Sequence, residues 1–101
     1  GERCAVVAGN SVVTLRVAAA VSRMGWTFGQ QLGFVGFDDP EWASLIRPGL
    51  SAVAQPTDAI GQRAAQCLLE RISGLQGPAR ESLLPGLLVV RGSSLGSEAA
   101  V

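Results

Sequence analysis

The chain has 101 residues, of which 48% are hydrophobic and 16% are charged, and eight arginines balance eight acidic side chains. This composition excludes a disordered chain and a basic surface for nucleic acid, and no apolar run is long enough to span a membrane. Histidine, lysine and tyrosine are absent from the sequence. We therefore predict no catalytic activity, no cofactor and no metal site.

Strand-like and helix-like patterns alternate along the chain, beginning with an apolar run at Cys4–Ala8 that suits a buried strand. A helix is predicted over Ser11–Gly25, where Asn10 or Ser11 can cap the start and Gly25 can adopt the left-handed conformation that ends it. Its apolar stripe has helical spacing and consists of Val13, Val17, Ala20 and Met24.

The remaining elements continue this alternation. They are predicted strands at Leu32–Phe37, Leu50–Gln55 and Gly86–Arg91, and predicted helices at Glu41–Ile46 and Thr57–Gly74. Residues 92–101 have the composition of a frayed tail. Cys4 and Cys67 have neither disulfide nor zinc spacing, so we predict that both are small buried hydrophobic residues.

Strands that are apolar on both faces and alternate with helices predict an α/β fold with a parallel sheet covered on both sides. Ligands in such folds bind beyond the carboxyl ends of the strands. Polar clusters at these predicted ends occur at residues 8–11, 38–39 and 55–57. We expect the three clusters to form one rim, which is the candidate ligand site.

Two adjacent aspartates end the second predicted strand, in the sequence GFVGFDDPEW. Because Pro40 is favoured at the first position of a helix, Asp39 is predicted to be the N-cap of the short helix. Asp38 would then point into the crevice, where its carboxylate can accept hydrogen bonds from the hydroxyl groups of a sugar or polyol. The pattern equally allows Asp38 to bind only the amides of the neighbouring loop.

The segment GFVGFDDPEWASLIRPGLSAVAQP, Gly33–Pro56, resembles the strand, paired aspartates, helix and Pro-x-Leu-x-x-Val-x-Gln-Pro segment of the lactose/galactose-repressor family of bacterial transcription regulators. AVVAGN, MGW and IGQRAAQCLLERISG match the same family. The resemblance implies a fragment of a two-lobed effector domain like that of periplasmic sugar-binding proteins. Residues 1–55 would belong to the second lobe, and residues 56–101 would be a crossover helix, a strand and a tail.

The resemblance also implies a ligand site. Asn10 and Asp38 would face the effector cleft, and Gln55 would lie at a crossover between the lobes, where it can contact both ligand and hinge. Ser11 departs from the family, which usually has an acidic residue at this position. This departure bears on which sugar is recognised and not on the fold.

A subunit contact is implied as well, formed by Leu15, Ala19, Trp42, Leu45 and Ile46. The sequence leaves two other roles open for Trp42, which could stack on a sugar ring or pack in the core. Trp26 and Phe28 replace aliphatic residues of the family and are predicted to be core residues.

We therefore expect the effector-binding and dimerisation region of a cytoplasmic, DNA-binding transcriptional regulator. Its small-molecule effector would be a sugar or a related polyol, and DNA would be contacted only through a headpiece missing from this chain. The alternative is a fragment of a periplasmic sugar-binding protein that serves a transporter. A third possibility, an α/β enzyme fragment, is disfavoured by the absence of histidine, lysine and tyrosine.

In the family fold, the helix at Thr57–Ser73 and at least part of the chain after it pack on the first lobe. The apolar faces of this helix and of Leu87–Val90 would then be uncovered in this chain. We expect the chain to form a homodimer that hides them, through the subunit contact, by exchange of the C-terminal helix and strand in a domain swap, or by both.

Overall fold

A computed structural model describes residues 4–95 of the protein. Its helices and longer strands are, in chain order, β1 (Cys4–Ala8), α1 (Ser11–Arg23), β2 (Leu32–Phe37), β3 (Ser51–Ala54), α2 (Thr57–Ile72) and β4 (Leu87–Val89). Short 3-10 helices occupy Glu41–Leu45 and Gly92–Ser94. The predicted α/β alternation is confirmed. Across the described residues, no helix combines the length and the apolar character that a membrane span requires.

The strands form one sheet in the order β1-β2-β3-β4. As predicted, β2 pairs in parallel with β1 and with β3. The fourth strand differs from the prediction, since β4 runs antiparallel to β3, with Leu87 opposite Ala54. The chain that leaves the sheet after Ala54 re-enters it beside the same residue, so the returning strand must run in the opposite direction.

The core lies where α1 and the loop after it contact the sheet. Its buried apolar side chains are Ala8, Val21, Phe28, Leu32, Phe34, Ala43 and Leu50. The rings of Phe28 and Phe34 meet edge to face, with centroids 5.5 Å apart. The prediction of a core position is therefore confirmed for Phe28. It is wrong for Trp26, which lies in the loop after α1 and is 38% exposed.

Both ends of α1 follow from the residues predicted for them. The Oδ1 atom of Asn10 accepts a hydrogen bond of 2.9 Å from the backbone N–H of Val13, which makes Asn10 the N-cap. Gly25 follows the helix with a φ of 68°, the left-handed conformation that glycine adopts without strain.

The buried face of α1 differs from the predicted stripe by about one residue. Thr14 and Val21 are the buried residues of this helix, whereas Val13 and Met24 are 43% and 53% exposed. A threonine can occupy the interior here because its hydroxyl donates a hydrogen bond of 3.1 Å to the carbonyl of Asn10.

The predicted frayed tail is wrong for residues 92–95. Ser93 is completely buried, and its Oγ donates a hydrogen bond of 2.8 Å to the carbonyl of Phe34. The same oxygen accepts a bond of 2.7 Å from the backbone N–H of Ser51. Small polar residues fit here because they bond to the backbone of two strands, which composition does not reveal. Residues 96–101 lie outside the described part of the chain.

Residues 4–55 and 87–95 form one compact unit, and residues 56–86 form a second. The family resemblance groups the last strand with the helix before it; in this structure β4 pairs with β3 of the first unit. In the second unit, α2 has no buried residue, and the segment after it contacts the helix through an ion pair of 2.8 Å between Glu70 and Arg80. Its expected uncovered apolar face includes Leu68 and Ile72, which are 61% and 72% exposed.

The prediction of two buried cysteines is wrong. Cys4 is exposed and Cys67 is half-buried, and both thiols are free. Cys4 begins β1, which lies at the edge of the sheet, and Cys67 belongs to the helix without buried residues.

Candidate functional site

The carboxyl ends of β1, β2 and β3 lie side by side at one edge of the sheet. Ala8 of β1 is opposite Gly36 of β2, so Asn10 and Asp38, each two residues further on, leave the sheet at the same level. Gln55 directly follows β3, on the other side of β2. Because adjacent strands are about 4.8 Å apart, the three predicted ligand-binding residues share one small region.

Asp38 lies in the middle of this region in an unusual backbone conformation. Its φ of 72° makes it the one non-glycine residue with a left-handed backbone among those described. Its N–H donates a hydrogen bond of 2.9 Å to the carbonyl of Val53, which fixes the turn to β3. A left-handed conformation costs a residue with a side chain roughly 1–3 kcal/mol, and such residues are concentrated at functional sites.

The carboxylate of Asp38 contacts Gln55 directly. The Nε2 atom of Gln55 donates a hydrogen bond of 2.5 Å to Oδ1 of Asp38. The sequence left open whether Asp38 serves only the amides of its own loop. Within residues 4–95 its side-chain partner is instead Gln55, one strand away, so the two predicted ligand-binding residues form a pair.

Asn10 can offer only part of its side-chain amide to a ligand, because the amide oxygen already accepts a hydrogen bond within the protein. Its Oδ1 caps α1, so the Nδ2 amide is the part of this exposed side chain that can donate to a ligand. Together, the carboxylate of Asp38 and the amide groups of Asn10 and Gln55 offer both acceptors and donors. Vicinal hydroxyl groups of a sugar require such a mixture.

The second aspartate has a structural role, but not the predicted one. Pro40 occupies the N-cap position of the 3-10 helix, and no side chain caps that helix. Asp39 instead forms a bidentate ion pair with Arg91, with distances of 2.8 and 3.1 Å. The hydrogen bonds from the Arg91 guanidinium hold the pKa of the Asp39 carboxyl below its usual value. The cap prediction is wrong because a charged partner distant in sequence competes with the local backbone N–H groups.

Arg91 is the residue of this region that sequence reasoning missed. Besides Asp39, its guanidinium donates a hydrogen bond of 2.7 Å to the carbonyl of Leu50. Arg91 and Asp39 are 52 positions apart, so no local pattern connects them. The one available signal was an arginine that ends a predicted strand of otherwise apolar residues.

Three of the five residues predicted for the subunit contact, Leu15, Ala19 and Trp42, line an exposed groove of about 460 Å³. It is lined by Ser11, Val12, Leu15, Arg16, Ala19 and Trp42. Beside the groove residues, Leu45 has a side chain that is 78% exposed. Ile46 is half-buried and packs against the core. The structure therefore brings Leu15, Ala19 and Trp42 together, and Leu45 presents a large apolar side chain to the solvent.

Trp42 has in part the core position that the sequence left open for it, while its role in a subunit contact stays a prediction. Its side chain is half-buried and packs against the core, and it also forms part of the wall of the groove. A ring held on one side by the core and open on the other resembles the aromatic residues at the centres of protein interfaces.

Comparisons with known proteins cover most of the chain. A family model for the periplasmic binding protein-like domain matches residues 2–94. The HTH-type transcriptional regulator PtxS of Pseudomonas plecoglossicida is 47% identical over 85 residues, which are 84% of this chain and 25% of that protein. The chain thus spans a quarter of the length of this curated relative.

Two solved structures share the fold. A dimeric Lac repressor with an 11-residue C-terminal deletion has a TM-score of 0.76 and 30% identity, over 91% of this chain and 34% of that chain. A LacI family transcriptional regulator from Enterococcus faecium with bound ribose has a TM-score of 0.77 and 26% identity, over 91% of this chain and 34% of that chain.

Proposed function

The chain belongs to the periplasmic binding protein-like domains of the LacI-type transcriptional regulators, and we propose that it forms the effector-binding and dimerisation part of a bacterial DNA-binding regulator. The observation that carries the proposal is the arrangement of Asn10, Asp38 and Gln55 at the carboxyl edge of the sheet, with Asp38 in a left-handed conformation and bonded to Gln55. The regulator would act in the cytoplasm.

A sugar or a related polyol is the effector that this chemistry fits best. A carboxylate accepts hydrogen bonds from hydroxyl groups, and charge-assisted bonds of this kind are about twice as strong as neutral ones. The flanking amides of Asn10 and Gln55 can donate as well as accept. The similar Enterococcus faecium regulator has been solved with bound ribose, which supports this class of ligand.

Regulation follows from a shift between two states of the longer protein. An effector that binds one arrangement of the domain more tightly than another shifts their populations by its difference in affinity. By linkage, the same difference changes the affinity for DNA, which belongs to a headpiece outside this chain. The exposed apolar face of α2 would be covered by the rest of the effector-binding domain. A periplasmic sugar-binding protein would use the same edge of the sheet, but the matched curated relative is a regulator.

The ligand role of Asp38 can be tested by calorimetry on the full-length protein. Wild type is titrated with D-ribose, D-galactose and D-gluconate, and the titration is repeated with Asp38→Ala. For the compound that the wild type binds most tightly, we expect Asp38→Ala to lower the affinity by roughly tenfold to a hundredfold, because a charged hydrogen-bonding partner contributes about 1.5–3 kcal/mol. Asp58→Ala removes an exposed carboxylate from the start of α2 and is the control. Equal affinities in the two variants would refute the assignment of Asp38.

The groove of Leu15, Ala19 and Trp42 is the proposed subunit contact, in line with the dimeric state of the similar Lac repressor. Leu15→Asp places a charge in it and should convert a dimer to a monomer in analytical ultracentrifugation of the full-length protein. Met24→Asp is the matched control, because Met24 is next to the end of the same helix and is 53% exposed, against 55% for Leu15. A Leu15→Asp variant that stays dimeric would exclude this groove as the contact.

A further inference from the structure

The ion pair between Arg91 and Asp39 adjoins the candidate site without belonging to it. The two terminal nitrogens of the Arg91 guanidinium each donate to one carboxylate oxygen of Asp39, at 2.8 and 3.1 Å. Each of the two side chains is 22% exposed. A bidentate pair of this kind fixes orientation as well as distance. Asp39 directly follows Asp38, so whatever holds the Asp39 side chain also limits the backbone of Asp38.

Arg91 is itself held firmly at its base. Its N–H donates a hydrogen bond of 2.7 Å to the Ser51 hydroxyl, and its carbonyl accepts one of 3.0 Å from the same group. The stem of the side chain lies against Gly49, where an added Cβ would approach the Cδ of Arg91 to 3.1 Å. The guanidinium therefore reaches Asp39 from a fixed position on the β3 side of the sheet.

Asp38 needs such support because its backbone is left-handed, with a φ of 72°. Its N–H is tied to Val53 and its carboxylate to Gln55. Neither hydrogen bond involves the peptide group that follows Asp38, because one uses the N–H of Asp38 and the other its carboxylate. The next residue, Asp39, is held through its side chain by Arg91.

We propose that Arg91 is a positioning residue for the effector site. By clamping Asp39, it holds Asp38 in the left-handed conformation that directs the carboxylate beyond the edge of the sheet. The inference rests on the proposed function for its effect on affinity, but its effect on the conformation of Asp38 is independent of any ligand. It also assigns a function to both members of the Asp-Asp pair: Asp38 contacts the effector, and Asp39 holds Asp38.

The test uses three variants of the full-length regulator: Arg91→Met, Asp39→Asn and the double variant. Affinity is measured by calorimetry for whichever of D-ribose, D-galactose and D-gluconate the wild type binds most tightly, at a temperature where circular dichroism shows every variant folded. Each single change should weaken binding about tenfold, which is ~1.4 kcal/mol. The double variant should lose no more than the larger single loss, because the two residues act as one unit.

Arg80→Met is the control, because it breaks an ion pair of the same 2.8 Å length in the other unit and should leave affinity unchanged. The Asp39→Asn variant separates positioning from direct contact. If Arg91 bound the effector itself, releasing it from Asp39 would maintain or raise affinity, and that result would overturn the inference. Equal affinities for Arg91→Met and Arg80→Met would overturn it as well.

A crystal structure of the Arg91→Met variant gives a readout that needs no ligand. We expect Asp38 to leave the left-handed region. If Asp38 keeps its positive φ, the inference is wrong whatever the affinities are. If the wild type binds none of the three compounds, the proposed effector class fails. The conformation of Asp38 in the Arg91→Met crystal structure then still decides whether Arg91 positions it.

Discussion

Replacing Ser93 by alanine should destabilise the first unit strongly, although the sequence suggests only a frayed tail at this position. The Ser93 hydroxyl donates to the carbonyl of Phe34 at 2.8 Å and accepts from the N–H of Ser51 at 2.7 Å. It thereby joins the 3-10 helix at Gly92–Ser94 to β2 and β3. Ser93 and Ser51 are completely buried, so water cannot replace the lost hydroxyl.

The magnitude follows from the two backbone groups that the change leaves without this partner. A buried donor or acceptor that loses its partner costs about 1–3 kcal/mol, so the expected loss for the two groups is roughly 2–6 kcal/mol of the free energy of unfolding. This is a large part of the ~5–15 kcal/mol that stabilises a typical domain.

Urea unfolding of the full-length protein, followed by tryptophan fluorescence, measures this loss. Trp26 and Trp42 both belong to the same unit as Ser93 and report on its unfolding. Ser44→Ala is the control, because the Ser44 hydroxyl is exposed and bonds only to the nearby carbonyl of Glu41; its effect should stay within about 0.5 kcal/mol. A Ser93→Ala variant as stable as Ser44→Ala would refute the role given to this hydroxyl.

Three further predictions concern the same unit. Gly36→Ala should destabilise by roughly 1–3 kcal/mol in urea unfolding, because its methyl group would lie 2.9 Å from the Thr14 hydroxyl. Arg91 lowers the pKa of Asp39, so this pair stabilises the fold above the usual carboxyl pKa of about 3.9, and the contribution is lost as the pH falls through the lowered value. Asp39→Asn should therefore reduce the dependence of the melting temperature on pH in the acid range. Asn10→Ala should cost about 1 kcal/mol through the lost cap and also weaken effector binding, whereas Asn10→Asp should keep the cap and lose only the amide donor. Calorimetry and thermal unfolding of the two variants separate these effects.

Each of these predictions has a contrary result. An unchanged stability for Gly36→Ala would mean that α1 shifts freely away from the sheet. An acid unfolding curve of Asp39→Asn that matches the wild type would mean that the ion pair adds nothing to stability. Equal effector affinities for Asn10→Ala, Asn10→Asp and wild type would remove Asn10 from the site.

The fold class and the rim of the candidate site could be predicted from the sequence. Apolar strands alternating with helices indicated the parallel pairing of β1, β2 and β3, whose carboxyl ends lie together, but the same pattern was wrong for β4, which is antiparallel. The segment Gly33–Pro56 added a specific resemblance, and the family it indicated is confirmed. Asn10, Asp38 and Gln55 were therefore predictable as neighbours, while their role toward a ligand stays a prediction.

The features that escaped prediction depend on polar contacts that the pattern of apolar residues does not include. Thr14 is buried because its hydroxyl bonds to the carbonyl that begins its own helix, which a count of apolar residues cannot include. Asp39 does not form the expected cap because it pairs with Arg91, which follows β4. Ser93 is buried because two strands supply its partners. The partners of Asp39 and Ser93 are distant in sequence, so only the folded chain brings them near.

A crystal structure of the full-length regulator with its tightest-binding sugar tests the central claim most directly. We predict that Asp38 accepts a hydrogen bond of about 2.7 Å from a ligand hydroxyl, with the side chains of Asn10 and Gln55 also bonded to the sugar. A sugar bound elsewhere, with none of these three side chains within hydrogen-bonding distance, would contradict the assignment of the site.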